Sequence, residues 1–207
     1  MRLFRRHAGV DFESLRPVAA VAADVGVLAA RFASERRAAV EDLLPRDLAV
    51  LVASALPGLP LSRVSPDPRG LGGTDPGYMY YEAPVRPHEG CRRDCAPVCA
   101  LALSLEGGPL RDFLRVITGH SGLHVGGVSV RAYVKGSHVS RSAGAEVLWY
   151  ATPGWGENDG GLLRFPGGER WLPRFGAMHV VEGDPREVTL VPDHSALYVV
   201  RALLRTG

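Results

Sequence analysis

The sequence lacks the features that mark several common classes of protein. It has only three cysteines in 207 residues, and an odd number of thiols does not fit a secreted protein built on disulfides. Charge of one sign is not in large excess either, since 24 basic residues face 22 acidic ones and Lys135 is the single lysine. A net charge of +2 is too small to predict nucleic-acid binding, although the many arginines make the chain slightly basic.

Long hydrophobic runs are absent as well. The longest apolar stretches, 18–23 and 25–32, are interrupted by Asp24 and Gly26 and fall far short of the roughly 20 residues that span a bilayer. The first seven residues carry charge, but no apolar segment follows them, so a signal peptide is not expected. We therefore expect a cytoplasmic protein that makes no contact with a membrane.

The signatures of common catalytic sites are also missing. There is no Gly-x-Ser-x-Gly elbow, no phosphate-binding loop and no dinucleotide fingerprint, because Gly70, Gly72 and Gly73 lie in a predicted coil. The seven histidines form no His-x-Asp, His-x-His or His-Glu-x-x-His pair. A metal centre would therefore have to be assembled from positions that are far apart in the sequence.

The three cysteines recur every four residues. Cys91, Cys95 and Cys99 would share one face of a helix, but Pro97 interrupts such a helix. Three thiolates also lack the fourth ligand of a zinc finger unless His88 supplies it. Two interpretations stay open: a metal site, or partly buried and inert thiols.

The order of the predicted elements indicates a single domain over 1–207, in two parts. Residues 1–118 read as a mostly helical support region, with an irregular loop near 59–77 that is rich in Pro, Gly, Ser and Asp. The predicted helices, which begin near proline and end at glycine or proline, cover 45–56, 97–105 and 109–117. Residues 119–207 alternate short β-rich runs with turns, which is typical of a sandwich or barrel. The fold class is therefore α+β.

The second half also carries an ordered set of short segments. They are Ile-Thr-Gly at 117–119, Ser-Val-Arg-Ala-Tyr-Val-Lys-Gly at 129–136, Val-Leu-Trp-Tyr-Ala-Thr-Pro-Gly-Trp at 147–155, Asp-Gly-Gly-Leu-Leu-Arg-Phe at 159–165, Pro-Arg-Phe-Gly at 173–176 and Arg-Glu-Val-Thr-Leu-Val at 186–191. In this order and spacing they resemble the prolyl 4-hydroxylase-like group of Fe(II)/2-oxoglutarate oxygenases. The resemblance covers the chain from about residue 39 onward, and no single motif carries it alone.

The resemblance implies a double-stranded β-helix, a cupin-like jelly roll, with N-terminal helices packed on one sheet. It also implies a His-x-Asp and a distal His that hold Fe(II), and an arginine that binds the far carboxylate of 2-oxoglutarate. In this chain the His-x-Asp falls on Ser142, Ala143 and Gly144, the distal His falls on Arg186, and the arginine falls near Ala196. We therefore expect the scaffold of an oxygenase without iron and without 2-oxoglutarate.

A second interpretation keeps Fe(II) and 2-oxoglutarate as cofactors and uses an atypical set of ligands. His138 and Ser140 have the spacing of the missing motif but supply no carboxylate, and His179 lies seven residues before Arg186. In the first interpretation no cofactor is needed. Arg186 then places a permanent positive charge where the metal would lie.

The resemblance and the alternation of strand residues give a set of candidate site residues. The candidate catalytic residues are Tyr133, Arg186, His138 and His179, the candidate substrate-binding residues are Arg131, Tyr150, Trp149 and Ser142, and no metal ligand is assigned. Tyr133 and Tyr150 take positions that often contact the cosubstrate in relatives.

A purely structural interpretation of these residues stays open. Arg131 and Arg186 would then form ion pairs with nearby carboxylates, and the aromatic side chains would pack in a core. The available carboxylates are Glu146, Glu182 and Asp184.

Three functions from different classes are compatible with the sequence. The first is an enzyme that transforms a small organic substrate, in one interpretation an anion, by metal-independent acid/base or template catalysis. Cyclisation, isomerisation or dehydration in specialised metabolism are the expected reactions. The second is an iron-dependent dioxygenase with an atypical metal site, and the third is a non-catalytic protein that binds a ligand or a partner protein. The sequence does not predict the oligomeric state.

Overall fold

A computed structural model describes residues 14–65, 78–86, 96–142, 144–183, 186–192 and 196–206, with the backbone alone over 140–142. In this part of the chain the helices are Ala19–Ala23 (α1), Val25–Glu35 (α2), Arg46–Ala55 (α3), Pro97–Gly107 (α4) and Pro109–Thr118 (α5). The strands are Arg37–Val40 (β1), Ser62–Val64 (β2), Tyr78–Val85 (β3), Leu123–Tyr133 (β4), His138–Ser142 (β5), Glu146–Tyr150 (β6), Leu163–Arg164 (β7), Arg170–Trp171 (β8), Met178–Val181 (β9), Arg186–Val188 (β10) and Leu197–Thr206 (β11).

The strands form two antiparallel sheets that share one strand. The major sheet has the order β1-β9-β6-β11-β4-β3, with β2 beside β3, and the minor sheet has the order β3-β5-β10-β7-β8. Strand β3 pairs with β5 at Tyr78 and Met79 and with β4 from Tyr81 to Val85, so it links the two sheets. From β4 onward the chain passes repeatedly between the sheets, with β4, β6, β9 and β11 in the major sheet and β5, β7, β8 and β10 in the minor sheet. This arrangement confirms the predicted double-stranded β-helix.

The helices cover the outer face of the major sheet. Alternate residues of the central strands, such as Val130, Val147 and Val200, face the helices and are fully buried against Leu101 of α4 and Leu114 of α5. The opposite residues of the same strands face the minor sheet and form a second core. The predicted packing of N-terminal helices on one sheet is confirmed.

Helices α4 and α5 show why the local sequence signals succeed. Each begins with a proline in its first turn, where the missing N–H has no helical partner to lose. Helix α5 ends at Gly119, whose φ of +71° is the left-handed conformation that glycine adopts without strain. Between the helices the buried Ser104 hydroxyl donates to the carbonyl of Leu15 and accepts the N–H of Leu110, which fixes the start of the described chain to this corner.

The support region contains strands that the sequence does not predict. Strand β2 lies inside the predicted loop near 59–77, of which 66–77 are outside the described residues. Strand β3 is not among the predicted strands, and it contains Pro84, a residue that is unusual in a paired strand. Since β2 pairs only with residues Tyr80 to Glu82, none of the described strands pairs with Pro84 on that side of β3. Within the region 1–118, strands β1 and β3 belong to the major sheet.

None of the helices in the described residues combines the length and the hydropathy that a membrane span requires. Cys99 lies half-buried on α4, while Cys91, Cys95 and His88 are outside the described residues. The interpretation of the cysteines therefore stays open.

Candidate functional site in the barrel

The space between the two sheets has a polar end and an apolar end. At one end lie the side chains that we call the polar cluster, which are Tyr80, Glu82, Ser129, Arg131, Glu146, Arg186 and Arg201. At the other end lies a buried core that includes Tyr133, Tyr150, Trp155, Leu163, Phe165 and Leu197. Strand alternation produces this arrangement, because Ser129, Arg131 and Tyr133 are every second residue of β4.

The two positions that the resemblance assigns to histidine ligands are direct neighbours. Arg186 on β10 and Ser142 on β5 are paired residues of the minor sheet. Two ligands of one metal ion must lie this close, so the pairing agrees with the placement made from the sequence. In the placement that the resemblance implies, the arginine lies at the position of the distal histidine.

The Arg186 side chain is buried in an ion-pair network. Its guanidinium binds one carboxylate oxygen of Glu146 and donates to the carbonyl of Gly144. The other oxygen of Glu146 accepts Nε of Arg201 at 2.5 Å. Burial alone would raise the pKa of Glu146, but the two guanidiniums outweigh it and hold that pKa below its usual value. The ion pair predicted for Arg186 is therefore present, and its partner is Glu146.

The residues at this position do not fit Fe(II). A buried guanidinium repels a cation, and Gly144, at the position of the carboxylate ligand, has a φ of +104°, which side-chain-bearing residues rarely adopt. Within the described ranges no group of three or more His, Cys, Asp or Glu side chains is arranged to hold a metal ion. We derive no chemistry through iron.

The predicted cosubstrate position does not fit 2-oxoglutarate either. Next to Ala196, where the basic residue is expected, Leu197 points into the barrel and is fully buried. It packs so closely over Gly161 that a Cβ at this glycine would lie 2.6 Å from Cδ2 of Leu197. The far end of the barrel is therefore filled by apolar side chains.

Arg131 is the centre of a second group of contacts in the polar cluster. Its Nε donates to Oε1 of Glu82 at 3.0 Å, and the Ser129 hydroxyl donates to the same oxygen at 2.7 Å. Its terminal nitrogens face the hydroxyls of Tyr80 and Tyr133 at 3.2 and 3.5 Å. Burial raises the pKa of Glu82, but the hydrogen bond from Ser129 and the charge of Arg131 lower it by a larger amount. The pKa therefore lies below its usual value, and the carboxylate stays ionised. The ion pair predicted for Arg131 is therefore correct in kind, but its partner is Glu82, a residue that the sequence did not suggest.

His179 and Tyr150 form a buried pair on the inner face of the major sheet. The Nδ1 atom of His179 lies 3.0 Å from the Tyr150 hydroxyl, and the imidazole packs edge-on against Trp171. Burial lowers the pKa of His179 to about 3 and raises the pKa of Tyr150 well above its usual value. Both groups are thus neutral near pH 7 and nearly inaccessible to solvent.

Two of the remaining candidates, His138 and Trp149, lie away from this site. His138 lies on the outer face of the minor sheet, since its neighbour Val139 points inward, and its Nδ1 contacts the carbonyl of Gly136. Trp149 faces the helices, because it lies between the inward-facing Leu148 and Tyr150, and its Nε1 donates to a backbone carbonyl. For Ser142 only the backbone position is described.

Sequence reasoning missed Tyr80, Glu82 and Arg201 of the polar cluster. Arg201 follows Leu197 and Val199 at intervals of two on β11, so alternation within the predicted strand pointed to it. Tyr80 and Glu82 lie on β3, which was not recognised as a strand.

Comparison with known proteins identifies the fold. No family model and no curated protein matches the chain. Among solved structures, a prolyl 4-hydroxylase from Pseudomonas putida superposes with a TM-score of 0.63 at 17% identity, covering 88% of this chain and 100% of that chain. A prolyl hydroxylase from Trichoplax adhaerens, in complex with a hypoxia inducible factor peptide fragment, gives 0.65 at 14% identity over 93% and 94% of the two chains. The non-heme alpha-ketoglutarate-dependent epimerase SnoN of nogalamycin biosynthesis gives 0.61 at 12% identity over 89% and 83%.

The chain has the fold of the prolyl hydroxylase-like 2-oxoglutarate oxygenases. At these identities the likeness establishes the fold alone, and it agrees with the resemblance seen in the sequence. The activity has to be argued from the barrel itself.

Proposed function

We propose that this protein binds a small organic anion in the polar end of its barrel and transforms it without iron or 2-oxoglutarate. The observation that supports the proposal is the buried network of Arg186, Glu146 and Arg201, because the resemblance assigns the distal metal ligand to the position of Arg186. The network joins β6 and β11 of the major sheet to β10 of the minor sheet by charge, so it cross-links the two sheets. The remaining guanidiniums and hydroxyls of the polar cluster suit an anionic ligand.

The groups beside Arg131 limit the chemistry to proton transfer and orientation. Burial raises the pKa of Tyr80 and of Tyr133, and the charge of Arg131 offsets this only in part, so both hydroxyls stay protonated near pH 7. A protonated tyrosine beside a guanidinium suits hydrogen bonding to an oxyanion that develops on a ligand. Isomerisation, cyclisation and dehydration also need a group that accepts a proton, and the ionised Glu82 carboxylate beside Arg131 is available for this role. The epimerase among the structural neighbours is an example of a reaction other than hydroxylation on this fold.

A second candidate function is non-catalytic binding of a ligand or a partner protein. The burial of three of the four predicted catalytic side chains favours it, since Tyr133, His179 and Arg186 are each at most 3% exposed. In that case the inner residues stabilise the barrel, and the ligand leaves unchanged.

The first test is metal content and turnover of the full chain. We expect purified protein to hold no stoichiometric iron, to convert no 2-oxoglutarate to succinate when Fe(II) is added, and to keep the same melting temperature in a chelator. An iron content near one per chain, or succinate formation that a chelator abolishes, would overturn the proposal. Recovery of a bound anion unchanged after long incubation with stoichiometric protein would select the non-catalytic candidate.

A further inference from the structure

We propose that the ligand is held by a carboxylate that binds the terminal nitrogens of Arg201, beside Arg131. This inference rests on the proposed function and assigns the ligand class and its anchoring residue. Arg201 lies on the inner face of β11, paired with Ser129 of β4 on one side and Leu148 of β6 on the other. Its side chain is 16% exposed, so solvent and solutes reach it.

The hydrogen bonds of Arg201 leave most of its donors available. Glu146 takes only Nε, and within the described residues neither terminal nitrogen of Arg201 has a hydrogen-bond partner. These atoms are also absent from the buried unsatisfied groups of the described chain, which means that they contact water. A guanidinium that is fixed at Nε and open at its outer edge presents donors in a preset geometry.

Arg131 places a second guanidinium next to this edge. The sheet register pairs Val199 with Arg131 and Arg201 with Ser129, so the two arginines are diagonal neighbours on one face. The acidic residues lie on either side of them, with Glu82 beside Arg131 and Glu146 beside Arg201. Two like charges at this separation repel, and an anion between them removes the repulsion.

The donors of Arg131 also suit an anionic acceptor. Its terminal nitrogens are 3.2 and 3.5 Å from the hydroxyls of Tyr80 and Tyr133, which is longer than the usual charge-assisted hydrogen bond of roughly 2.7 to 2.9 Å. An ionised oxygen of a ligand is a stronger acceptor than a neutral phenol.

A carboxylate matches this arrangement better than a phosphate. Its two oxygens fit the planar fork of one arginine, and its single charge suits a space that already holds Glu82 and Glu146. A phosphate dianion carries twice the charge of a carboxylate, so Glu82 and Glu146 would repel it more strongly. The site also differs from the cosubstrate position expected from the resemblance, because Leu197 fills that position at the start of β11, four residues before Arg201.

Calorimetric titration of the full chain tests the assignment. Benzoate, succinate and inorganic phosphate are titrated separately at constant ionic strength, with chloride as the reference anion. We expect at least one carboxylate to bind more tightly than phosphate, and we expect Arg201→Gln to weaken that binding by roughly 10-fold or more. Arg205→Gln, which changes an exposed arginine of the same strand, should leave the dissociation constant unchanged.

Two further variants keep the test decisive if Arg201→Gln folds poorly. Arg201→Lys and Arg131→Lys preserve the charge but remove the fork, so each should weaken carboxylate binding while the circular dichroism spectrum stays native. Carboxylate binding that is unchanged in all three variants would overturn the assignment to Arg201 and leave the proposed function standing. Tighter binding of phosphate, or no carboxylate binding by the wild-type chain, would overturn the ligand class, whereas the iron and turnover measurements judge the proposed function separately.

Discussion

At the scale of single residues, Glu146 is the most consequential side chain in the barrel. It is almost completely buried and is the shared acceptor of Arg186 and Arg201, from two different sheets. Burying three charged groups costs desolvation energy, which their mutual attraction offsets only while all three are present. Loss of the Glu146 carboxylate leaves the guanidiniums of Arg186 and Arg201 close together with no negative charge between them.

We expect Glu146→Leu to lower the free energy of unfolding by about 3 to 5 kcal/mol, because it breaks a buried ion pair from one side. Glu187→Leu is a matched control, since Glu187 pairs with Arg164 on the exposed face of the minor sheet and should cost at most about 1 kcal/mol. Urea unfolding of both variants measures the difference. Equal losses would show that the buried network does not contribute more than a surface pair.

The identity of residues at single positions was partly predictable. Arg131, Tyr133 and Tyr150 were predicted to face the inside of the barrel. The resemblance points Tyr133 and Tyr150 inward, and strand alternation places Arg131 on the same face as Tyr133. The partners of these residues were harder to predict. The pairing of Arg131 with Glu82 depends on β3, which lies about 50 positions away in the sequence, and no local pattern joins the two strands.

At the scale of elements, the turn before β7 shows how the barrel was closed at its apolar end. Gly160 and Gly161 both have positive φ, and Leu197 at the start of β11 occupies the space above Gly161. The turn therefore packs against the start of β11 only because Gly161 has no Cβ. The Leu197 side chain thus lies next to Ala196, the position to which the resemblance assigns a cosubstrate-binding arginine.

We expect Gly161→Ala to lower the free energy of unfolding by about 2 to 4 kcal/mol, from backbone strain at a φ of +66° and from overpacking against Leu197. Gly167→Ala is the control, because its φ is +90° but no atom lies within 4 Å of the added Cβ, so only strain remains. Thermal and urea unfolding compare the two. A Gly161 variant that is no less stable than the Gly167 variant contradicts the packing argument.

Helices and strands differed in how well the sequence predicted them. Helices α4 and α5 were predicted almost to the residue, because prolines and glycines at their ends act locally. Strands β2, β5 and β8 were not predicted, since each is short and is formed by pairing with distant strands. The spacing of the longer strands predicted a sandwich or barrel, and the resemblance specified the jelly roll.

At the scale of the whole molecule, proton binding couples the barrel to its stability. His179 has a pKa of about 3 in the folded protein, whereas an unfolded histidine titrates near pH 6.5. Between these values the unfolded chain binds more protons than the folded one, so the stability of the fold falls as the pH falls. Glu146 and Glu82, whose pKa values are lowered, add to this loss at still lower pH.

We expect the free energy of unfolding to decrease by up to about 1.4 kcal/mol per pH unit from His179 as the pH falls from 6 to 4.5. His179→Gln should flatten this part of the profile, even if it is less stable at pH 7.5. His124→Gln, at an exposed position, should follow the wild-type slope. Urea titrations at several pH values give the slopes, and an unchanged slope in the His179 variant would contradict the assignment.

The place of β11 in the major sheet has a consequence for how the protein is made. This strand lies between β4 and β6, yet the ribosome synthesises it after every other described strand. Until it emerges, the nascent chain lacks the partner of the facing edges of β4 and β6, and the core between the sheet and the helices lacks Val200, Ala202 and Leu204. The barrel thus forms only after synthesis of this segment, and the incomplete sheet is the stage at which chaperones have most to protect.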